Sequence, residues 1–322
     1  MNTLSRMEIR VLLDLEEEKN VTELAKELGL SIYRASTLVS SLERKGLIRA
    51  KKGKKKIVLL NDTKPGELFR KIVSSFGHMP LDKVLSGKNL LLLAVLENVP
   101  SSPKELYIKA SLPRSTLYHT INRLSNYGII IGKNGKYSLL ERYMLFHEFA
   151  KEFYDVQNSI KAREFSRDSA IVWSGVKEFI LSTKKYKGKD VGNLHLTGLE
   201  RFSDFGVELI GTGRYHYYYS EKAELSLEDV VMHALLIDFS PRTILYSIVL
   251  LLAFRDKLNR NKLLNLGKKY GVSIEGLLAY LEGKEAGRYP YPSLKEVEET
   301  FEMYFGEKYG QYGRSNSRKA DI

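Results

Sequence analysis

The sequence predicts a mainly α-helical protein with small β-sheets, in which two tandem winged helix-turn-helix domains precede an α+β C-terminal domain. Residues 30–48 align without a gap on residues 112–130, which lie 82 positions later, and their apolar positions coincide. Each copy follows a short amphipathic segment and precedes a hairpin rich in Lys and Gly. This is the order of elements in a winged helix-turn-helix. After residue 166 the pattern changes to short strands and then returns to helices.

Composition excludes several classes of protein. The chain has 322 residues, enough for two or three domains, and no Cys, which excludes disulfides and thiolate zinc sites. The longest apolar run, residues 244–254, is too short for a membrane span, and the N-terminus lacks the pattern of a signal peptide. We therefore expect a cytoplasmic protein without a membrane partner.

The positive charge of the chain is confined to the repeated half. Residues 1–140 hold 24 Lys and Arg against 13 Asp and Glu, a net charge of +11, whereas the rest holds 27 against 26. Charge placed only for solubility would not explain this confinement. The distribution favours a nucleic-acid-binding region.

The first predicted domain covers residues 1–62. Residues 4–17 form its first helix, Thr22 caps a helix over 23–28, and Ser31 caps a helix over 32–45 that Gly46 ends. On this last helix Ala35, Val39 and Leu42 form the buried stripe. The opposite face is polar and suits contact with base edges. It carries Tyr33, Arg34, Thr37, Ser40, Ser41 and Arg44, with Tyr33, Arg34 and Thr37 as the predicted base contacts.

A lysine-rich wing follows the first helix pair. Residues 48–50 and 57–60 are strand-like, and the tip between them holds five lysines in six residues. Such a tip is either a solvated loop or a contact with phosphate oxygens, and its position after a helix-turn-helix favours phosphate. The predicted phosphate contacts are Lys51, Lys52, Lys54, Lys55 and Lys56.

The second predicted domain covers residues 63–140 and begins with a connector helix over 63–84. Ser102 and Pro103 start a helix, and the second copy of the recognition helix begins at Pro113. Its exposed residues include Asn and Arg, the types that pair with adenine and guanine edges. Asn134-Gly135 indicates a hairpin turn. The predicted DNA contacts are Ser115, Thr116, His119, Asn122, Arg123, Lys133 and Lys136. Alternatively, the apolar run over 90–96 makes this domain a dimerisation or protein-contact module.

The chain after residue 140 contains few candidate catalytic or metal-binding residues. Residues 141–165 predict a linking helix whose aromatic stripe is either a dimerisation surface or a stem for packing. Residues 166–305 predict the α+β domain, with strands over 170–173, 194–196 and 215–219, and residues 306–322 a basic flexible tail. Glu228, Asp229 and His233 share a helix face, but no metal-binding motif supports them. We expect no catalytic residue, no metal and no cofactor.

The repeated pattern, with its Lys wing, resembles archaeal and bacterial winged-helix transcriptional regulators of the MarR and ArsR type. Residues 195–200, 225–230 and 234–236 resemble the C-terminal domain of AbiEi-type antitoxins, although those have a single winged helix. The resemblance implies DNA binding and transcription regulation by residues 1–140.

The predicted function is a sequence-specific, double-stranded-DNA-binding transcription regulator that is not an enzyme. Its C-terminal domain would serve oligomerisation as a homodimer, an effector or a protein partner. Three alternatives stay open: a protein-interaction scaffold, an antitoxin-like autorepressor, and an enzyme acting on nucleic acid. The enzyme would need Glu228, Asp229, His233 and Asp238 around one cleft.

Overall fold

The computed structural model describes residues 3–15, 17–51, 56–211, 213–219 and 224–306. It is mainly α-helical with small antiparallel sheets, which confirms the predicted class at that level. The chain divides into two compact units. Unit 1 comprises Met1–Lys161 and Gly175–Lys177, and unit 2 comprises Ala162–Ser174 and Glu178–Ile322. Within the described ranges, no helix combines the length and the apolar character needed to cross a membrane.

Unit 1 contains two sets of helices and strands that follow one another along the chain. The first set is α1 (Arg6–Asp14), β1 (Lys19–Asn20), α2 (Val21–Glu27), α3 (Ile32–Arg44), β2 (Ile48–Lys51) and β3 (Ile57–Leu60). Strand β3 pairs antiparallel with both β1 and β2. Two connecting helices follow, α4 (Lys64–Phe76) and α5 (Leu81–Val84). The second set is α6 (Lys88–Leu93), α7 (Pro103–Ala110), α8 (Arg114–Asn126), β4 (Ile130–Lys133) and β5 (Lys136–Leu139).

The repeat extends well beyond the aligned segment. Helices α6, α7 and α8 and strand β4 each begin 82 residues after α1, α2, α3 and β2. A bridge between Ser101 and Tyr137 takes the place of the pairing between β1 and β3. The first repeat comprises residues 6–60, and the second repeat comprises residues 88–139.

Local backbone devices also recur at the same spacing. Asn20 and Ser102 each form a capping box with the glutamate three residues later, so both helices start with satisfied amides. The turns before α3 and α8 need a left-handed residue, which is Gly29 in the first repeat and Ser111 in the second. The predicted cap at Thr22 is therefore wrong: Asn20 accepts hydrogen bonds from the backbone amides of Thr22 and Glu23, and the helix begins at Val21.

The leucine-rich run of the second repeat lies in the core of unit 1. Leu90, Leu92, Leu93 and Leu96 are fully buried, and Leu91 nearly so. These side chains pack with the other helices of the unit and present no apolar surface. The predicted use of residues 90–96 as a docking surface is therefore wrong, because burial inside the unit already accounts for their hydrophobicity.

The aromatic stripe that follows the second repeat is buried as well. Helix α9 (Met144–Phe165) places Phe146 and Phe149 against α4, with ring centroids 4.9 Å from Phe76 and 5.6 Å from Phe69, respectively. Gln157 donates a 2.8 Å hydrogen bond to the carbonyl of Lys45 at the end of α3. Of the two interpretations of this stripe, the structure favours the packing stem.

The described residues of unit 2 form a four-stranded antiparallel sheet and α-helices that follow it along the chain. The strands are β6 (Ala170–Ser174), β7 (Glu178–Ser182), β8 (Leu194–Leu196) and β9 (Tyr215–Tyr219), in the order β6-β7-β9-β8. Strand β7 lies inside the sheet and was not predicted. The helices are α10 (Leu227–Ile237), α11 (Pro241–Ala253), α12 (Arg260–Tyr270), α13 (Glu275–Leu281) and α14 (Leu294–Phe305). The predicted tail beyond residue 306 lies outside the described residues.

Candidate nucleic-acid interface

Helix α3 has the two faces that its periodicity predicts. Ala35, Val39 and Leu42 are buried, and Ser31 caps the helix by accepting a hydrogen bond from the Arg34 amide. Five of the six predicted contact residues on this helix are exposed: Tyr33, Arg34, Thr37, Ser40 and Arg44. Arg34 and Arg44 form no ion pair with any described residue, so their guanidinium groups remain open to an external anion.

Ser41 departs from the prediction. Its side chain is half-buried and donates a 2.7 Å hydrogen bond to Oε1 of Glu8 on α1. The hydroxyl therefore helps hold α3 to α1 rather than standing on the exposed face. The structure assigns it a partner that the local pattern of α3 could not reveal, and a base contact by Ser41 would have to compete with that bond.

Glu8 and Lys45 form a buried ion pair at the base of α3. Lys45 Nζ lies 2.6 Å from Glu8 Oε1 and also donates to the carbonyl of Thr3. Burial raises the pKa of Glu8, but hydrogen bonds from Lys45, Ser5 and Ser41 outweigh it, so the pKa is lowered overall. The pair fixes the orientation of α3, and with it the exposed face.

The described cations of the first wing are already neutralised by acids of the same unit. Lys51 pairs with Glu18 at 2.6 Å, and Lys56 pairs with Glu43 at 3.1 Å. Exposed pairs of this kind are weak, so an external anion can compete for these lysines. The other three predicted wing contacts, Lys52, Lys54 and Lys55, lie outside the described residues.

Helix α8 is the counterpart of α3 and carries no acidic residue. Ser115, His119, Asn122 and Arg123 are exposed as predicted, while Thr116 is half-buried. Pro113 occupies the N-cap position and provides no side-chain hydrogen bond. The first amides of α8 therefore have no side-chain cap, in contrast to those of α3.

The second hairpin forms at the predicted turn. Asn134 and Gly135 both have positive φ angles, 51° and 70°, as a two-residue hairpin turn requires. Lys133 and Lys136 face each other across β4 and β5 and are exposed. These two predicted DNA contacts thus lie together at the tip of the hairpin.

From residue 98 onward, the second repeat carries positive charge that described acids do not neutralise. Residues 98–140 contain six basic residues and one acid, Glu105, which serves in the capping box of α7. None of the six forms an ion pair with a residue in the described ranges. They are Lys104, Lys109, Arg114, Arg123, Lys133 and Lys136.

An open groove of about 740 Å³ runs between the N-terminal turns of α7 and α8. Its floor and walls combine Tyr107, Leu117 and Tyr118 with the cations Lys104 and Arg114. At the positions of the first repeat that match Tyr107, Leu117 and Tyr118, the chain has the smaller residues Ala25, Ala35 and Ser36. Lys104, Arg114 and the two tyrosines were not predicted as site residues, although comparing α2 with α7 and α3 with α8 reveals this difference between the repeats.

The acidic residues and the histidine considered in unit 2 have structural partners. Glu228 accepts hydrogen bonds from Ser226 and from the amide of Asn259, and Asp229 is bound by Lys262 at 2.8 Å. Asp238 accepts from Ser240 and Thr243 at the start of α11.

His233 is fully buried, and its ring nitrogens contact the hydroxyls of Thr197 and Tyr270. Tyr217 on β9 is buried too and donates to Glu178. Burial, together with the nearby Glu178 carboxylate, raises the pKa of Tyr217 well above its usual value. Within the described part of the chain, no group of three or more His, Asp or Glu side chains is arranged to hold a metal ion.

Comparison with known proteins bears on unit 2 alone. Residues 192–307 match a family described as HVO_2833_C, C-terminal. That description names no activity. No curated protein matches the chain, and no solved structure does.

Proposed function

We propose that the chain is a sequence-specific DNA-binding transcription regulator built on two winged helix-turn-helix domains in unit 1. The observation that carries this proposal is the repeat itself. Two helices of 13 residues, α3 and α8, begin 82 residues apart, and each presents an exposed polar face beside a hairpin. A helix of this kind fits the major groove of B-DNA, and an adjacent basic hairpin reaches the flanking phosphates.

The charge distribution of unit 1 supports the same function. The exposed face of α8 offers Asn122 and Arg123, which make bidentate hydrogen bonds with adenine and guanine. Lys133 and Lys136 are placed for phosphate contacts that fix position without reading sequence. In the first repeat, the residues that contact base edges are Tyr33, Arg34 and Thr37. Unit 2 would then serve oligomerisation, effector sensing or binding of a protein partner.

Selection from a random duplex library tests this proposal. The wild-type chain should enrich a defined sequence, and the variants Arg34→Ala and Arg123→Ala should each relax the preference at specific positions. Each good bidentate contact contributes roughly 1–3 kcal/mol of discrimination. Arg10→Ala is a matched control, because Arg10 lies on α1 and pairs with Asp82. Failure to enrich any sequence, with binding retained at low salt, would replace the proposal with non-specific DNA binding.

A further inference from the structure

A second basic surface lies in unit 2, on the connection between β7 and β8. Residues 184–189, named here the lysine loop, contain four lysines and no acid. These lysines are exposed, and none forms an ion pair with a described residue. They are Lys184, Lys185, Lys187 and Lys189. Residues 141–322 together carry a net charge of only +1, so the loop is a local concentration of positive charge.

The start of the lysine loop is fixed by Asp168. Thr183 donates to Asp168 from its hydroxyl at 2.9 Å, and Lys184 donates from its backbone amide at 2.9 Å. Hydrogen bonds from Ser166, the Lys184 amide and Thr183 lower the pKa of Asp168 to about 2. The carboxylate therefore stays ionised, and continues to hold the loop, over the whole pH range in which proteins are usually studied.

The rest of the loop is fixed by His216 on β9, which is fully buried. Its Nε2 lies 3.1 Å from the carbonyl oxygens of both Tyr186 and Lys189. Its Nδ1 lies 3.0 Å from the carbonyl oxygen of Arg214, so the imidazole lies among three backbone carbonyl oxygens to which it can donate. The amide of Gly188 donates to the carbonyl of Gly213 at 2.9 Å. The backbone that bears the lysines is thus held at several points.

A loop built in this way is suited to a polyanion. Like charges that the fold holds close together repel one another, and an anion removes that repulsion. Because the backbone is already ordered, binding loses less conformational entropy than it would in a flexible lysine run. The backbone of Arg214, an exposed residue, adjoins the start of the loop, because its carbonyl accepts a 3.0 Å hydrogen bond from the Thr183 amide.

We propose that the lysine loop is a second contact with duplex DNA, which binds phosphates irrespective of sequence. This inference rests on the proposed function, because unit 1 would deliver the DNA and tethering would raise its effective concentration at unit 2. Regular, closely spaced phosphates match a cluster of lysines, because each ammonium group binds phosphate as a point charge and reads no base edge. The loop therefore adds affinity and salt dependence but no sequence preference.

The test measures binding of the full chain to labelled duplexes of several sequences over a range of salt concentrations. The triple variant Lys184→Ala, Lys187→Ala, Lys189→Ala should flatten the slope of log K against log salt by about 0.9 for each lysine that binds a phosphate in the wild type. The affinity should fall by the same factor for every sequence. The control triple variant Lys257→Ala, Lys284→Ala, Lys295→Ala removes the same charge from exposed positions elsewhere in unit 2 and should change the slope much less.

The outcomes separate the two proposals. If the two triple variants behave alike while the wild type binds DNA, the lysine loop makes no DNA contact and the proposed function stands. If the wild type binds no duplex even at low salt, both proposals fail. Far-UV circular dichroism of each triple variant should match the wild type, because all six lysines are exposed.

Discussion

Glu8 and Lys45 form a buried ion pair in the first repeat, at positions where the second repeat has Leu90 and Tyr127. The two repeats therefore hold their first and third helices together by different chemistry. In the first, a charged network links Ser5, Glu8, Ser41 and Lys45. In the second, apolar packing does so, with Leu90 fully buried. In the first repeat, removal of one charge therefore leaves the other buried without its partner, which cannot happen at the matching positions of the second repeat.

Loss of one partner of this pair should destabilise unit 1. Lys45→Ala leaves a buried carboxylate without its cation, which costs about 3–5 kcal/mol. The double variant Glu8→Leu, Lys45→Tyr copies the second repeat and should recover part of that loss, although it also removes the capping box of α1. Urea unfolding followed by circular dichroism measures the free energy of unfolding of both variants.

Trp173 supplies an internal control for that experiment. It is the only tryptophan of the chain and belongs to unit 2. Its fluorescence should report an unchanged unfolding transition in both variants. A double variant as unstable as Lys45→Ala would show that the contacts of Leu90 and Tyr127 do not transfer to the first repeat.

The stability contributed by ionised Glu8 should depend on pH. Its pKa in the folded protein is lowered from the ordinary value of 4.5. This contribution is therefore complete above the pKa of the unfolded chain and is lost as the pH falls through the folded pKa. The free-energy difference between the wild type and Glu8→Gln should thus be larger at pH 7 than at pH 3. A difference that grows on acidification would contradict the assigned sign.

A cap placed on α8 should separate stability from DNA affinity. Pro113→Asn and Pro113→Asp both introduce a side chain that can accept from the first amides of α8, at a gain of roughly 1 kcal/mol. Asp also places a negative charge at the end of a helix that we propose to lie in the major groove, between the phosphates of two strands. Asp should therefore weaken DNA binding relative to Asn, while thermal unfolding remains similar. Equal affinities would place that helix end away from DNA.

Removal of the acids that neutralise the first wing should strengthen DNA binding. Glu18→Gln and Glu43→Gln release Lys51 and Lys56 from their ion pairs. Each released lysine that then reaches a phosphate steepens the salt slope by about 0.9. Glu299→Gln, which breaks the exposed pair with Lys295 in unit 2, serves as the control. If all three variants bind alike, the wing does not contact DNA.

His216→Phe should loosen the lysine loop without changing its lysines. Phenylalanine fills similar space but cannot donate to the carbonyls of Tyr186 and Lys189. Hydrogen–deuterium exchange of residues 184–189 should accelerate, while peptides from unit 1 should exchange as in the wild type. Unchanged exchange in the loop would show that other contacts suffice to hold it.

Features that depend on neighbouring residues could be predicted from the sequence. The caps at Ser31 and Ser102 and the turn at Asn134-Gly135 lie where the local pattern places them. Each is determined by a few consecutive residues, because a capping hydrogen bond or a positive φ angle is a local event.

Features that depend on distant residues could not be predicted in this way. Ser41 turns inward because of Glu8, 33 positions away, and Lys51 is neutralised by Glu18 at the same separation. Strand β7 was missed because its place inside the sheet depends on pairing with β6 and β9. The groove beside Tyr107 and Tyr118 exists only once α7 and α8 pack together.

The affinity of the full chain for its selected duplex, relative to a shuffled duplex, tests the central claim most directly. Titrations by fluorescence anisotropy at salt concentrations from roughly 50 to 200 mM give both the specificity ratio and the salt slope. A sequence-specific regulator should prefer the selected duplex by at least about 10³-fold and lose affinity steeply with salt. No binding at low salt, or equal binding to both duplexes, would contradict the claim.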